Sequence, residues 1–546
     1  MIGVRARLTP APLSIARPLS ARLRSAAIAT AGLLLAAGCT HTAAPSPQPT
    51  ASSAAPAANG VRAITPLTFT TLDPARARTS GDSTVITNAY QTMLAVAAGG
   101  TQPEPDLAEA CKFTLPTVYS CRIRDKEAWS DGTPITTAQV AGSYDRLLRG
   151  SLAWPQLATL VSSVQVVDEH SVSFTMRSYN ALLPYLLATP RSAVVRVGVG
   201  ADTDPAAVVG SGPYVVARFA PDSQIVLSRN DNYAGRTSAR SDRVAITVVH
   251  RSTAVQSAAA AAAAVQANTA DLAFGDLDSV PVPANSPASS EVRITATPGR
   301  TVRLLVLRMT AGPTGLAIHD AVARTVDRRA LAAVVPTSAQ LAQTSVVPGD
   351  VPDHVDAFDE AFGDAPDRVG AKAALDVAKV KTRVPLTLWC ATSDVTCSTA
   401  LSKVAAQLNA SKLFTASVRT APAADVARRA RAGELDGWLA SATPAYPGAD
   451  AYLAPVFAGG SDSIVAGSGF VSATLATDIR RSRQASVPAT RADLLAGIQR
   501  DGALTGPVIP LYQDRSTVVS RRAVTGIPAG FDVVGVQRFW SIRPPG

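Results

Sequence analysis

Five cysteines are the residues of this chain whose spacing restricts their chemistry most. Cys111 and Cys121 form one close pair, Cys390 and Cys397 form another, and Cys39 stands alone. Neither pair has the C-x-x-C spacing of a zinc site. We therefore expect no metal site. If the chain is exported to an oxidising compartment, we expect two disulfides, Cys111–Cys121 and Cys390–Cys397. The histidines that could complete a metal site are far apart: His41, His170, His250, His319 and His354.

Catalytic and phosphate-binding motifs are missing from the sequence. It contains no H-E-x-x-H, no G-x-S-x-G and no G-x-x-x-x-G-K-[ST]. Gly81-Asp82-Ser83 superficially resembles a hydrolase serine, but it lies in a stretch rich in Thr and Ser that we interpret as a loop. A catalytic triad needs a placed histidine partner, and none of the five scattered histidines is a convincing choice. The sequence therefore predicts a protein that is not an enzyme and needs no cofactor.

The first 38 residues predict a secretory signal. An apolar run over residues 26–37 follows a segment with basic but no acidic residues, and it is too short to span a bilayer. The stretch Leu35–Cys39 resembles the bacterial lipobox, in which the cysteine is acylated, although Ala36 stands where leucine is commonest. The alternative is ordinary signal cleavage with Cys39 incidental. The basic residues of the segment are Arg5, Arg7, Arg17, Arg22 and Arg24.

Residues 39–60 predict a disordered tether. From Thr40 onward this segment has no charged residue and consists mainly of Ala, Ser, Thr and Pro, so it cannot bury enough surface to offset its ordering entropy. No later stretch is long and apolar enough to cross a membrane. We therefore expect the chain to lie outside the cell, attached to the outer face of the cell membrane through the lipid on Cys39 only.

The remainder of the chain predicts several α/β lobes. It is too long for one simple core, and strand patterns alternate with helix patterns. Val85–Val96 and Ile318–Val335 have the apolar spacing of helices, and Thr136 with Gln139 forms a capping-box pattern after the turn at Trp129–Pro134. The signal arginines account for half of the formal charge of +10 and the other basic residues are scattered. This distribution argues against nucleic-acid binding.

An ordered set of motifs resembles the extracellular solute-binding proteins of family 5, the peptide and dipeptide binders of ABC importers. Its most specific member is Trp129–Pro134 followed by Thr137–Val140. We interpret most of these motifs as structural, because turn-forming Gly and Asp have a backbone reason for their positions; Asp327 and Arg328 are expected to pair their charges within a helix. The other matches are Leu72–Pro74, Pro103–Ala108, Gly210–Tyr214, Arg229–Tyr233, Ala323–Arg328 and Val508–Tyr512.

The resemblance implies an α/β fold of the periplasmic-binding-protein type II, with two hinged lobes, an extra subdomain and a ligand cleft between the lobes. It implies a monomer that captures a peptide or similar small solute and delivers it to an ABC permease and ATPase. The alternative is a lipoprotein that keeps the fold but has a regulatory or envelope-pathway role without transport. The expected ranges are 61–95, 205–300 and 505–546 for lobe I, 96–204 for the subdomain and 301–504 for lobe II.

The resemblance also indicates where a solute would bind. In the peptide binders a Gly-Trp-x-x-Asp segment lies in the cleft, and its aspartate anchors the α-amino group of the ligand. Here Ser441 stands at the position of that aspartate, or Ala445 does in a second alignment, so the carboxylate is missing. Asp450 is a nearby substitute, and Trp438 and Tyr446 are candidate cleft walls or, alternatively, core residues. The predicted ligand-binding set is Trp438, Leu439, Ser441, Tyr446, Asp450 and Tyr90.

Overall fold

The computed structural model describes residues 59–97, 99–196, 208–277, 291–310, 312–335, 341–460, 463–527 and 536–545. The predicted signal, Cys39 and almost all of the predicted tether lie outside these residues. The described residues form one compact unit. The first strand begins at Gly60, so the last residue assigned to the tether belongs to the folded body.

The first third of the chain alternates short strands with helices. Its strands are β1 (Gly60–Thr65), β2 (Leu94–Val96), β3 (Pro103–Pro105), β4 (Ala108–Leu115), β5 (Val118–Ile123), β6 (Val161–Val166) and β7 (Ser171–Met176). Its helices are α1 (Ser80–Ala89), α2 (Thr137–Leu148), α3 (Pro155–Ala158) and α4 (Leu183–Leu186).

The middle of the chain contributes the longest strand. Its strands are β8 (Tyr214–Ala220), β9 (Gln224–Arg229), β10 (Arg243–Val248), β11 (Leu272–Ala273), β12 (Val292–Leu307) and β13 (Leu341–Ala342). Its helices are α5 (Ala254–Gln266), α6 (Pro313–Thr325), α7 (Arg328–Ala332), α8 (Ala357–Phe362) and α9 (Arg368–Val377).

The last third of the chain returns to the same sheet. Its strands are β14 (Val384–Ala391), β15 (Phe414–Ala421), β16 (Gly437–Ala442) and β17 (Val508–Arg521). Its helices are α10 (Val395–Ala410), α11 (Ala423–Arg431), α12 (Ala449–Phe457), α13 (Ala473–Gln484) and α14 (Pro488–Thr505).

One eleven-stranded sheet runs through both lobes in the order β15-β14-β16-β12-β17-β11-β1-β10-β9-β8, with β13 beside β17. Only β12 and β17 extend into both halves. Their antiparallel ladder pairs Val292–Pro298 with residues 515–521 in lobe I and Val302–Val306 with residues 508–513 in lobe II. The register shifts between Pro298 and Val302, so the two lobes are joined at an irregularity in a two-stranded ribbon.

Three regions each bury their own apolar core. Lobe I packs α1 and α5 against the strands around β1. Lobe II packs its helices on both faces of β14, β16 and β12. A four-stranded antiparallel sheet, β4-β5-β7-β6, packs with α2 to form the subdomain. The fold is therefore the expected α/β architecture of two lobes joined by crossing strands, with an additional subdomain.

The cores place a few segments differently from the predicted ranges. Met93 and Leu94, assigned to lobe I, pack in the subdomain core, whereas Ala193 and Val195, assigned to the subdomain, pack in lobe I. The ladder of β12 and β17 likewise places residues 508–513, predicted in lobe I, with lobe II. The limits of the ranges stay predictions.

Local sequence signals explain how these elements begin. Thr136 and Gln139 form the predicted capping box at the start of α2, with both reciprocal hydrogen bonds present. The indole of Trp129 donates a hydrogen bond of 3.0 Å to Gln139 Oε1, which ties the preceding turn to the helix. Gly132 in that turn has φ +82°, a conformation that glycine adopts without strain.

Three local predictions need correction. The helix predicted over residues 85–96 ends at Ala89, because Tyr90 is extended and Leu94–Val96 forms a strand. The helix predicted over residues 318–335 is divided into α6 and α7. Asp327 caps α7 by accepting from the Ala330 amide, and Arg328 pairs with Asp359. These two residues therefore do not form the expected ion pair with each other.

Both predicted disulfides are present. Cys111 and Cys121 are bonded across the β4–β5 ladder, where they are directly paired. Cys390, near the end of β14, is bonded to Cys397 in the first turn of α10. Within the described ranges, no helix has the length and apolar character to span a bilayer.

Candidate functional site

The parallel strands of both lobes end at the hinge. In lobe II, β16 runs antiparallel to β12 and β14 runs parallel to β16, so their carboxyl ends lie where β12 enters the lobe. In lobe I, β11 runs antiparallel to β17 and parallel to β1, so their carboxyl ends point to the same ribbon from the other side. Ligands of open α/β sheets bind outside the carboxyl ends of the strands. Two such edges facing each other define a cleft.

The edge of lobe II opens between two neighbouring strands. Strands β15 and β16 follow β14 in the chain but lie on opposite sides of it, since β15 pairs with one edge of β14 and β16 pairs with the other. β14 pairs with β16 only at Gly437 and Trp438, whereas β16 pairs with β12 along its whole length. Within the described part of the chain, residues 439–442 therefore have no strand partner on the β14 side. This is the topological switch point at which a ligand is expected.

A charged cluster lies at this edge. Arg303 on β12 donates from Nε to Asp514 Oδ2 at 2.7 Å and from Nη1 to Asp394 Oδ2 at 2.7 Å. Its Nη1 also donates to Ser441 Oγ at 3.0 Å. One guanidinium therefore holds together strand β12, strand β17, the start of α10 and the end of β16.

The environment of this cluster shifts the pKa values of Arg303 and Asp514. Burial would lower the pKa of Arg303, but Asp514 and Asp394 outweigh it, so the pKa is raised and the guanidinium stays charged. Burial raises the pKa of Asp514 above the ordinary value, although Arg303 opposes this effect. The cluster combines a permanent cation with a carboxylate that is poorly solvated.

The nearby disulfide fixes one member of the cluster. Asp394 is the N-cap of α10, where its Oδ1 accepts from the Cys397 amide at 3.0 Å and from Thr396 Oγ1 at 2.8 Å. The Cys390–Cys397 bond closes the loop that contains Asp394. The position of this carboxylate is therefore set by a helix cap and a crosslink.

Two residues of the predicted ligand-binding set lie at this edge. Ser441 is exposed near the carboxyl end of β16. Leu439 is on the same strand and packs partly against the lobe II core on one face of the sheet. The open edge beside them fits the predicted position of a solute, and their contact with one stays a prediction.

Trp438 points to the other face of β16. It is 5% exposed and packs in the lobe II core with Val306 and Val456 among others. This position agrees with the alternative in which Trp438 is a core residue.

Tyr446 and Asp450 lie where lobe II meets the subdomain. The Tyr446 ring packs against Tyr185 with 5.4 Å between ring centroids, and its hydroxyl donates to Asp450 Oδ1 at 2.8 Å. Asp450 is 1% exposed and pairs with Arg483 at 2.9 Å. This carboxylate therefore supports the contact between lobe II and the subdomain, and its role as a substitute for the aspartate missing at position 441 stays a prediction.

Tyr90 is separated from the rest of the predicted set. It packs in lobe I and lines a cavity of about 350 Å³ between lobe I and the subdomain. Burial, together with the charge of Asp73, raises the pKa of its hydroxyl. The structure therefore brings together only part of the predicted set at the edge of lobe II.

The charged members of the site were not among the predicted residues. Arg303 has a recognisable signal, since it is a lone charge in the apolar strand segment Val302–Leu307, and charged side chains are rarely buried without a partner. Asp514 and Asp394 carry no such signal, because each has polar residues close by in the sequence. In the described residues, no group of His, Cys, Asp and Glu side chains forms a metal-binding cluster.

Comparison with known protein families supports this architecture. The profile described as "Bacterial extracellular solute-binding proteins, family 5 Middle" matches residues 102–463, more than half of the chain. A protein of Escherichia coli K12 named "Probable D,D-dipeptide-binding periplasmic protein DdpA" is 29% identical over 178 residues, 30% of this chain and 34% of that protein. The periplasmic oligopeptide-binding protein OppA of Salmonella typhimurium LT2 is 27% identical over 187 residues, with the same coverages. The chain thus matches about a third of each relative's length.

Solved structures share the fold over nearly their whole length. HbpA2 from Haemophilus parasuis superposes with a TM-score of 0.75 and 17% identity, covering 89% of this chain and 100% of that one. The periplasmic binding protein DppA from Helicobacter pylori, in complex with peptide STSA, superposes with a TM-score of 0.68 and 16% identity, covering 89% and 98%. At these identities the likeness shows the fold alone.

Proposed function

Because the chain belongs to the bacterial extracellular solute-binding proteins of family 5, we propose that it captures a peptide or a related small solute between its two lobes. We propose further that it delivers this solute to the permease and ATPase of an ABC importer. The observation that carries the proposal is the pair of facing edges, one from each lobe, at which parallel strands end on either side of the ribbon formed by β12 and β17.

The geometry supports binding by closure. The ribbon is irregular between Pro298 and Val302, where few ladder contacts resist bending. A solute that contacts both edges gains more interactions when the lobes approach, so its binding shifts the population toward the closed state. The open side of residues 439–442 offers backbone groups that an extended peptide main chain satisfies by strand addition.

The N-terminus supports a lipid-anchored receptor outside the cell. The lipobox-like stretch ending at Cys39 would provide the anchor, and residues 40–58 would provide the tether that lets the lobes reach a permease. In this proposal the protein acts as a monomer, since one chain supplies both sides of the cleft.

Native mass spectrometry of the exported chain tests the proposal. We expect a bound solute of low mass, and we expect that calorimetry with that solute, after its removal, gives a saturable heat at one site per chain. Uptake of the solute should be lost when the chain is deleted and restored when it is returned. A chain that retains no solute and gives no heat with broad peptide libraries contradicts the proposal. A solute that binds without supporting uptake indicates the regulatory role instead.

A further inference from the structure

We infer that the captured solute carries a cationic group, an ammonium or a guanidinium, that binds at Asp514 beside Ser441. The inference rests on the proposed function, because it assumes that a solute enters the cleft. It adds the chemical class of that solute, which the missing aspartate at position 441 leaves open.

The first support is the arrangement of the side chains on one face of the sheet. Arg303 is directly paired with Ser441 on β16 and with Tyr512 on β17. Directly opposed residues of neighbouring strands share a face, and residues two apart on a strand share a face. Ser441, Arg303, Tyr512 and Asp514 therefore form a row at the end of lobe II that faces the hinge.

The second support is the charge of this row. Arg303 is shared by two carboxylates, Asp514 and Asp394. The charged groups that shift the pKa of Asp514 are Arg303 and Asp394. With both carboxylates ionised, the cluster has one negative charge in excess. A solute cation that enters the cleft would neutralise it.

The third support is an unused acceptor on a buried carboxylate. The Asp514 side chain is 10% exposed. Its Oδ2 accepts from Arg303, whereas its Oδ1 has no hydrogen-bond partner within the described residues. Asp394 differs, because Thr396, Cys397 and Arg303 occupy both of its oxygens. Asp514 Oδ1 is not fully enclosed, so a charged N–H group of the solute can reach this oxygen and donate to it.

One hydroxyl group extends the same acceptor site. Ser441 is exposed, and its Oγ accepts one hydrogen bond from Arg303 and has a second lone pair. An ammonium has three donors, enough for both Asp514 Oδ1 and Ser441 Oγ.

Three pools of tetrapeptides distinguish an α-amino group from a side chain as the source of the cation. The first pool has free α-amino groups and uncharged side chains, the second has the same sequences with acetylated N-termini, and the third has acetylated N-termini with one Lys or Arg side chain. Equilibrium dialysis followed by mass spectrometry measures retention of each pool by the full exported chain. We expect the first pool, the third pool or both to be retained, and the second not.

Variants then locate the cation at Asp514. Asp514→Asn should lower the association constant for the retained peptides at least about tenfold, the range of a charge-assisted hydrogen bond. Asp436→Asn is the matched control, because Asp436 pairs with Arg308 at 3.3 Å at the other end of β16; it should leave the constant unchanged. The double variant Asp514→Asn/Ser441→Asp should restore binding by returning a carboxylate to the row.

The outcomes distinguish this inference from the proposed function. Equal retention of the acetylated uncharged pool, with no change in Asp514→Asn, overturns the inference while solute capture stands. Retention of none of the three pools overturns the inference, whereas solute capture is contradicted only if native mass spectrometry also finds no bound solute. If Asp514→Asn does not fold by circular dichroism, the single variant Ser441→Asp decides: stronger retention of cationic peptides supports the inference, and unchanged or weaker retention overturns it.

Discussion

At the scale of the residue, buried charge has two different roles in this molecule. Arg303 and its carboxylates lie at the cleft and retain an unused acceptor, whereas Asp450 is enclosed and paired at the contact with the subdomain. Breaking a buried ion pair from one side leaves an uncompensated charge. Loss of one partner should therefore destabilise either cluster, and we propose a solute contact only for the first.

Asp82 is a third buried acid, and its role is structural. The motif Gly81-Asp82-Ser83 lies in the first turn of α1 and not in the predicted loop. The Asp82 carboxylate accepts from the backbone amides of Thr70, Thr71, Arg78 and Thr79. Burial alone would raise its pKa, but these hydrogen bonds lower the pKa below the usual value.

Asp82→Asn should lower the free energy of unfolding by roughly 1–3 kcal/mol at neutral pH, because the charged acceptor is lost. The folded pKa is depressed, so this stabilisation is complete above the unfolded pKa of about 4 and is lost as the pH falls through the folded value. Urea denaturation of both chains from pH 7 to pH 3 measures it. A difference between the chains that stays constant over this range would show that the charge contributes nothing.

Trp438→Ala is expected to destabilise the fold. Its burial in the lobe II core predicts a loss of roughly 3–5 kcal/mol in the free energy of unfolding, as for other buried aromatic residues. Chemical denaturation and calorimetry with the bound solute separate the two roles that the sequence allows. A chain of normal stability with weakened solute binding would place Trp438 in the cleft wall.

At the scale of the element, the crossing ribbon depends on a glycine. A Cβ on Gly299 would lie 2.7 Å from the Asp514 carbonyl oxygen, so a larger residue must push the two strands apart. Gly299→Ala should therefore lower both stability and solute affinity. Gly497→Ala is the control, since nothing lies within 4 Å of a Cβ there and the residue is inside α14. It should stabilise the fold by roughly 0.5–1 kcal/mol. Thermal unfolding of both variants measures the contrast, and equal behaviour would argue against a tight ribbon.

The disulfides also act at the scale of the element, because each one links neighbouring elements. Cys111–Cys121 crosslinks the two strands of a hairpin, and its removal by Cys111→Ser/Cys121→Ser should cost roughly 2–3 kcal/mol of stability. Denaturant titration measures the loss.

Mass spectrometry of the exported wild-type chain should show both disulfides within one chain. Free thiols at these four cysteine positions would refute the assignment.

Sequence patterns were most informative where local chemistry decides the element. The capping box at Thr136 and Gln139 follows from side chains close in sequence. The ends of α1 and α6 were not predictable, because apolar spacing continues past Ala89 and Thr325 while packing against other elements ends the helix. The row formed by Ser441, Arg303 and Asp514 unites three strands, and pairings so distant in sequence have no local signal.

At the scale of the whole molecule, the described chain is two lobes, a subdomain and one shared ribbon. The family resemblance carried by the ordered motifs predicted this architecture. The solute was not predictable in the same way, because its position depends on which strand ends meet at the hinge. Closure of the lobes on that solute is the claim on which the proposed function depends.

Distance measurement across the two lobes tests closure most directly. In a chain beginning at Thr40, Asp222→Cys in lobe I and Val369→Cys in lobe II provide exposed labelling sites, because the four described cysteines are bonded. Val369→Cys with Val471→Cys, both in lobe II and 83% and 92% exposed, provides the control pair. Addition of the solute identified by mass spectrometry should shorten the first distance in single-molecule energy transfer and leave the second unchanged. An unchanged first distance with solute bound would contradict closure.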